Sequence, residues 1–126
     1  MSEITPENVQ EKLNLFQQMQ QQVQALSQQA SQIDMSINET ERTVEEIKDS
    51  GKDTVLYRAI GSIMKKVEDI DKLRKELEEE KETMEIRNKS LKNQIEKINV
   101  ELVEMQKKLT PVVQSVQETS GQNAPE

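Results

Sequence analysis

Cysteine and histidine are absent from the 126 residues, and Phe16 and Tyr57 are the only aromatic side chains. Without cysteine there is no disulfide framework and no thiolate metal site, which fits a reducing compartment. Without histidine the commonest general base is missing as well, so catalysis is not expected. Two aromatics in a chain that is 33% charged leave too little apolar mass for a globular core. The fold implied is thin and extended.

Basic charge is also scarce, with 17 Lys and Arg against 24 Asp and Glu and a formal charge of −7. Such a surface repels phosphate backbones and anionic lipid, so no nucleic acid and no membrane is expected as a partner. The opening "MSEITPEN" has neither the basic region nor the apolar core of a signal peptide. Long apolar runs are missing too, none approaching the roughly 18 residues of a membrane span. A soluble, cytoplasmic protein is expected, with no cofactor and no metal.

Heptads are what the chain has in quantity. Phe16, Met19, Val23, Leu26, Ala30, Ile33, Ile37, Thr40, Val44 and Ile47 recur in alternating steps of three and four, and Val9 extends the series backward. A period averaging about 3.5 marks a coiled coil. "TPEN" supplies a start, through a Thr5 cap, Pro6 at the first helical position and Glu7 at the positive end of the dipole. "KDSG" supplies a stop, with Gly51 able to turn left-handed. Helix 1 is therefore predicted over about residues 6–50, roughly 65 Å at 1.5 Å per residue.

In the second array Ile70, Leu77, Met84, Leu91, Ile98, Met105 and Val112 fall seven apart. Their companions Val67, Ile95, Leu102, Leu109 and Val116 are interrupted by Arg74, Lys81 and Asn88. Polar seam residues weaken a coil and restrict its register. Their side chains are expected to snorkel outward, with a more flexible arm as the alternative. Asp69 can cap helix 2, predicted over about residues 69–110, and Pro111 should stop or kink it. Residues 111–126 then form a kinked or disordered tail. A short connector makes the helices antiparallel, with Ile47 near Val67 and Val9 near Leu109, so Val112, Val113 and Val116 overhang without a partner on helix 1.

Between the arrays, "TVLYRAIGSIMKKV" (residues 54–67) alternates instead. Val55, Tyr57 and Ala59 lie on one face of an extended segment, Leu56, Arg58 and Ile60 on the other. Gly61 marks a turn, expected to be longer than two residues and bulged, with a second strand from Ser62 to Lys66. An isolated hairpin that is apolar on both faces and open at both edges is marginal in water. Hairpins from several chains are expected to pair into a shared barrel. The fold class is thus mainly α, a long antiparallel two-helix coiled coil with one β-hairpin between the helices.

This pattern resembles the prefoldin β-class subunits found in archaea, from Val9 to about Leu109. The specific part is the hairpin: Leu56 and Tyr57, basic Arg58, turn Gly61, then Ile63, Met64, Lys65 and Lys66. Its single hairpin is similar to the β class, since α-class subunits carry two. The resemblance implies an ATP-independent holdase, a hexamer of two alpha and four beta chains built on a double β-barrel. It further implies an alpha-class partner, non-native client proteins as cargo and delivery to a group II chaperonin.

Such a protein needs apolar surface within reach of a client, and the distal tip offers it. The candidate client-binding residues are Ile4, Val9, Leu13 and Phe16 with Met105, Leu109, Val112, Val113 and Val116. Val9, Phe16, Met105 and Leu109 are first of all the last core layers of the coil, whereas Leu13 is off the seam. The candidate assembly residues are Val55, Leu56, Tyr57, Ala59, Ile60, Gly61, Ile63, Met64 and Val67.

Other motifs fail on their chemistry. The acids of "ELEEEKE" (Glu76–Glu82) spread around a helix, and "EDID" (Glu68–Asp71) lacks the Gly and terminal Glu of a calcium loop. "GKDT" has Asp53 where a phosphate loop needs Ser or Thr. A structural tether or scaffold explains the heptads equally well, but gains nothing from an open-edged hairpin. A nucleic-acid arm would need a basic tip, and residues 1–50 hold three Lys or Arg against nine Asp or Glu.

Overall fold

The computed structural model describes residues 3–51 and 53–122, with side chains through residue 117. Its elements in chain order are α1 (Val9–Ile47), β1 (Tyr57–Ile60), β2 (Ile63–Lys66) and α2 (Ile70–Gln122). They divide into two compact units. A terminal unit holds α1 up to Gln28 and α2 from Leu91 onward, and a hairpin unit spans Gln29–Ser90.

In the terminal unit α1 begins at Val9, three residues later than the capping signals suggest, after a turn at residues 6–8 in which the Asn8 N–H bonds the Thr5 carbonyl at 3.1 Å. The Asn8 side chain accepts the Thr5 N–H at 2.8 Å and donates to the Glu3 carbonyl at 3.0 Å. Its own carbonyl accepts the first helical bond, from Lys12 N–H at 3.0 Å. Residues 3–8 are thereby folded back, and Ile4 is buried with Val9, Met105 and Leu109. An apolar residue ahead of the cap that packs on the helix fixes the angle at which the chain enters.

On the other side of this unit, α2 runs through Pro111 instead of ending at Thr110. Proline deprives the Lys107 carbonyl of its usual N–H partner. The Thr110 hydroxyl nevertheless bonds back to the Gln106 carbonyl at 2.8 Å, and Val112 and Val113 pack against the Ile4 cluster. Tertiary burial of those two valines outweighs the local breaker. The expected overhang is corrected for Val112 and Val113, which the N-terminal fold-back covers, while Val116 stays 40% exposed. The predicted disorder of residues 123–126 lies outside the described residues.

The hairpin unit is pinned by polar groups. Arg74 donates through Nη2 to the carbonyls of Ile47 and Lys48, at 3.1 Å each. Lys81 pairs with Glu41 at 3.0 Å, and Asn88 donates to the Asp34 carboxylate. Descending α1 in steps of six and seven thus matches climbing α2 in steps of seven. The two helices of this seam are antiparallel, but Ile47 sits level with Arg74 and not with Val67, one heptad from the expected register.

The α1 terminus also departs from expectation. The helix ends at Ile47, and Gly61 is the only described residue with a positive φ, so Gly51 is not a left-handed cap. Arg74 takes that role by satisfying the last carbonyls from across the seam. Asp69 does cap α2, its side chain accepting the Lys72 N–H at 3.1 Å.

The strands pair antiparallel, Tyr57 with Lys66 through Ile60 with Ile63, and a Val67 N–H bond to the Leu56 carbonyl (2.9 Å) continues the ladder. Ile60 opposite Ile63 leaves a two-residue turn, shorter than the bulged turn expected. Gly61 has φ 59° and Ser62 does not have a positive φ, the combination of a type II′ turn, in which glycine at the first central position removes the steric objection.

The two glycines are therefore expected to respond differently to alanine. Gly61→Ala forces a side chain into the left-handed region at a cost of about 1 kcal/mol, and exchange of the Val67 amide should quicken roughly fivefold. Gly51→Ala meets open space without a positive φ and should leave that amide unchanged. Hydrogen exchange read by NMR on both variants checks the pair.

Candidate functional site

The terminal unit gathers most of the residues singled out for client contact. Ile4, Val9, Met105 and Leu109 are buried, and Leu13, Phe16, Val112 and Val113 are half-buried against them, together with Met19. Heptad spacing brings Val9, Phe16 and Met19 to one stripe of α1, and Met105, Leu109 and Val112 to one stripe of α2. These residues form a small core and not an open apolar surface. Leu13 belongs to it although it lies off the seam, and only Val116 of the candidate set is exposed.

The core is thin. Among the described residues no side chain is less than 2% exposed. A two-helix pair has no third layer to exclude water, so its outer turns are held by few contacts and open at low free-energy cost.

Exposed apolar side chains in the same unit were not among the candidates. Leu15 is 42% exposed on α1, and Val100 (54%) and Val103 (51%) lie on the outer side of α2. With half-buried Ile95 the two valines line a shallow groove on that helix, bordered by Lys92, Glu96, Glu104 and Lys107. The signal that singles out Leu13, an apolar residue outside the heptad positions, applies equally to these three.

The hairpin is the second apolar surface. Register places Val55, Tyr57 and Ala59 with Met64 on one face, and Leu56, Arg58 and Ile60 with Ile63 and Val67 on the other. Leu56 and Val67, at the base, are half-buried. Arg58, on the same face, reaches Glu76 at 3.3 Å and Glu80 at 3.4 Å on α2. Exposed ion pairs of this kind contribute about 0–1 kcal/mol each, so their effect is on hairpin orientation more than on stability. Beyond the base, Tyr57, Ile60, Ile63 and Met64 are each more than half exposed, and the sheet has two strands only.

Polar seam residues are structural in this geometry. The hydrogen bond to Glu41 raises the Lys81 ammonium pKa above the ordinary 10.5; partial desolvation opposes it, and the charges of Glu41 and Glu85 add to the rise. Stabilisation from a lysine with a raised pKa is complete below the unfolded value and is lost as pH climbs through the folded one. This contact is accordingly insensitive to pH through the neutral range. Among the described residues no helix is long and apolar enough to cross a membrane.

Known proteins share this arrangement. The family model for prefoldin subunits matches residues 10–115. The prefoldin subunit beta of Archaeoglobus fulgidus is 40% identical over 109 residues, 86% of this chain and 92% of that protein. That of Sulfolobus acidocaldarius is 31% identical over 124 residues, 98% of each chain. The crystal structure of the prefoldin beta subunit from Thermococcus strain KS-1 superposes with a TM-score of 0.71 at 29% identity, covering 98% of this chain and all of that one.

Burial separates the candidate residues by expected effect. Leu109→Ala leaves a cavity in the terminal core and should destabilise that unit by about 2–4 kcal/mol, whereas Val116→Ser at the exposed position should change stability by less than about 0.5 kcal/mol. Urea denaturation followed by circular dichroism measures both.

Proposed function

This chain belongs to the prefoldin family of chaperones, with the two helices and single hairpin of a beta subunit, and from that premise we propose that it works as an ATP-independent holdase. In this reading its hairpin pairs with those of other chains in a shared β-barrel, in a hexamer of two alpha and four beta chains. The helices extend from the barrel as arms whose tips capture non-native proteins and pass them to a group II chaperonin. The setting is the cytoplasm, and no enzymatic step is involved.

The observation that carries the proposal is the hairpin. Four large apolar side chains stand in solvent on a two-stranded sheet whose outer edges lack partners among the described residues. Monomeric proteins seldom leave such a surface uncovered, because open edges and apolar faces template association. A tether would not require it. Pairing between hairpins satisfies the edges and covers both faces at once.

Capture at the tip follows from the thin core. Val116, Val100, Val103 and Leu15 offer apolar contact in the folded unit, and opening of the last turns adds Ile4, Val9, Leu109, Val112 and Val113. Each contact is weak. Several tips closing on one client raise the local concentration of binding groups, which multiplies modest affinities and still permits release without nucleotide.

Two substitutions test the two halves separately. Ile63→Asp places a charge on the hairpin and is expected to reduce the complex to smaller species in native mass spectrometry; an intact complex would refute the shared barrel. Serine at Val100, Val103 and Val116 together leaves the buried cluster untouched and is expected to weaken suppression of client aggregation several-fold, with the oligomer preserved. Undiminished suppression by that variant would remove these positions from client binding.

A further inference from the structure

The apolar heptads of the hairpin unit do not define a single alignment. In the observed register Val44 falls between Glu41 and Ile47, level with Leu77 between Lys81 and Arg74, and Ile37 is level with Met84. Sliding α1 by one heptad relative to α2, about 10 Å at 1.5 Å per residue, brings Val44 to Ile70, Ile37 to Leu77 and Ala30 to Met84. Each of these three layers remains apolar.

Two of the charged rungs survive the slide as well. Arg74 and Lys81 are seven apart, and so are Glu41 and Asp34, so the displaced helices would pair Arg74 with Glu41 and Lys81 with Asp34. Within the hairpin unit, neither these apolar layers nor these ion pairs therefore select the observed state. What the slide removes is specific: the bonds from Arg74 to the Ile47 and Lys48 carbonyls, and the Asp34 carboxylate that receives the buried Asn88 amide.

We propose that Arg74 and Asn88 form a register lock that holds the hairpin unit against a poised, one-heptad-slid alternative. Arg74 reads the end of α1, a feature present at one place only, and so distinguishes rungs that the heptads leave equivalent. Asn88 is 4% exposed, and a buried amide that loses its carboxylate strongly disfavours the displaced alignment. The lock has its own cost, since Arg74 Nε and Asn88 Oδ1 are buried without a hydrogen-bond partner.

Disulfide trapping in the full chain, assembled with its partner subunits, tests the lock, and because this chain has no cysteine of its own, an intrachain disulfide can form only between the introduced pair. Val44→Cys with Leu77→Cys reports the observed register, and Val44→Cys with Ile70→Cys the slid one. On the native background the first pair is expected to close and the second to form only a trace. Adding Arg74→Leu and Asn88→Leu continues the apolar seam and should raise trapping of the second pair on the order of 100-fold, roughly tenfold for each charge-assisted bonding group removed. Arg74→Leu alone should give a smaller gain in the same direction, which decides the matter if the double variant loses helical content. Trapping of the second pair at its native level in both variants would overturn the lock.

Discussion

A pair of helices can bury one stripe on each partner and no more, and the rest of this structure follows from that limit. There is no second layer behind the seam, so even the best-covered apolar residues, Met105 and Leu109, keep a few per cent of their surface in solvent. Off the stripe, apolar side chains such as Leu15, Val100 and Val103 are left exposed. Polar side chains on the stripe find partners across it, as Arg74, Lys81 and Asn88 do.

Arg74, Lys81 and Asn88 meet that demand in three ways suited to their chemistry. The Arg74 guanidinium presents donors in a rigid fork, so one side chain can serve carbonyls at the end of the opposite helix. Lys81, a flexible point charge about one-third exposed, reaches between Glu41 and Glu85 with its ammonium partly hydrated. Asn88, buried in the seam, uses the Asp34 carboxylate. Replacing such groups with leucine is often neutral or stabilising in coiled coils, and what polar seam groups supply there is selection among alignments that hydrophobic burial alone cannot tell apart.

The same limit explains why the two functional surfaces differ. The hairpin lies outside the seam and is covered only at its base, where Leu56 and Val67 are half-buried and Arg58 reaches Glu76 and Glu80 on α2. Its apolar tip remains available for other chains. The terminal cluster lies on the seam and closes on itself, so in the proposed capture a client would first meet the exposed valines and reach the cluster only as outer turns open. Under the proposed function, assembly would use a surface that is always displayed, and capture one held shut by few contacts.

Much of this was legible in the sequence, because periodicity is local. Steps of three and four marked both helices, the change to alternation marked the hairpin, and Gly61 and Asp69 announced the turn and the second cap, each within a few residues of its own position. The misreadings arose where distant residues decide. Pro111 promises a helix end, but Val112 and Val113 gain more by packing on Ile4 and Val9 than the missing backbone bond costs. Gly51 looks like a cap, but Arg74 supplies it. The register was beyond local reading for a deeper reason: heptads repeat every seven residues and are indifferent to a slide of seven. By itself the sequence determined which residues are helical, which are strand and which face inward. Only the tertiary structure decided which rung meets which, since that depends on hydrogen bonds between residues up to 54 positions apart.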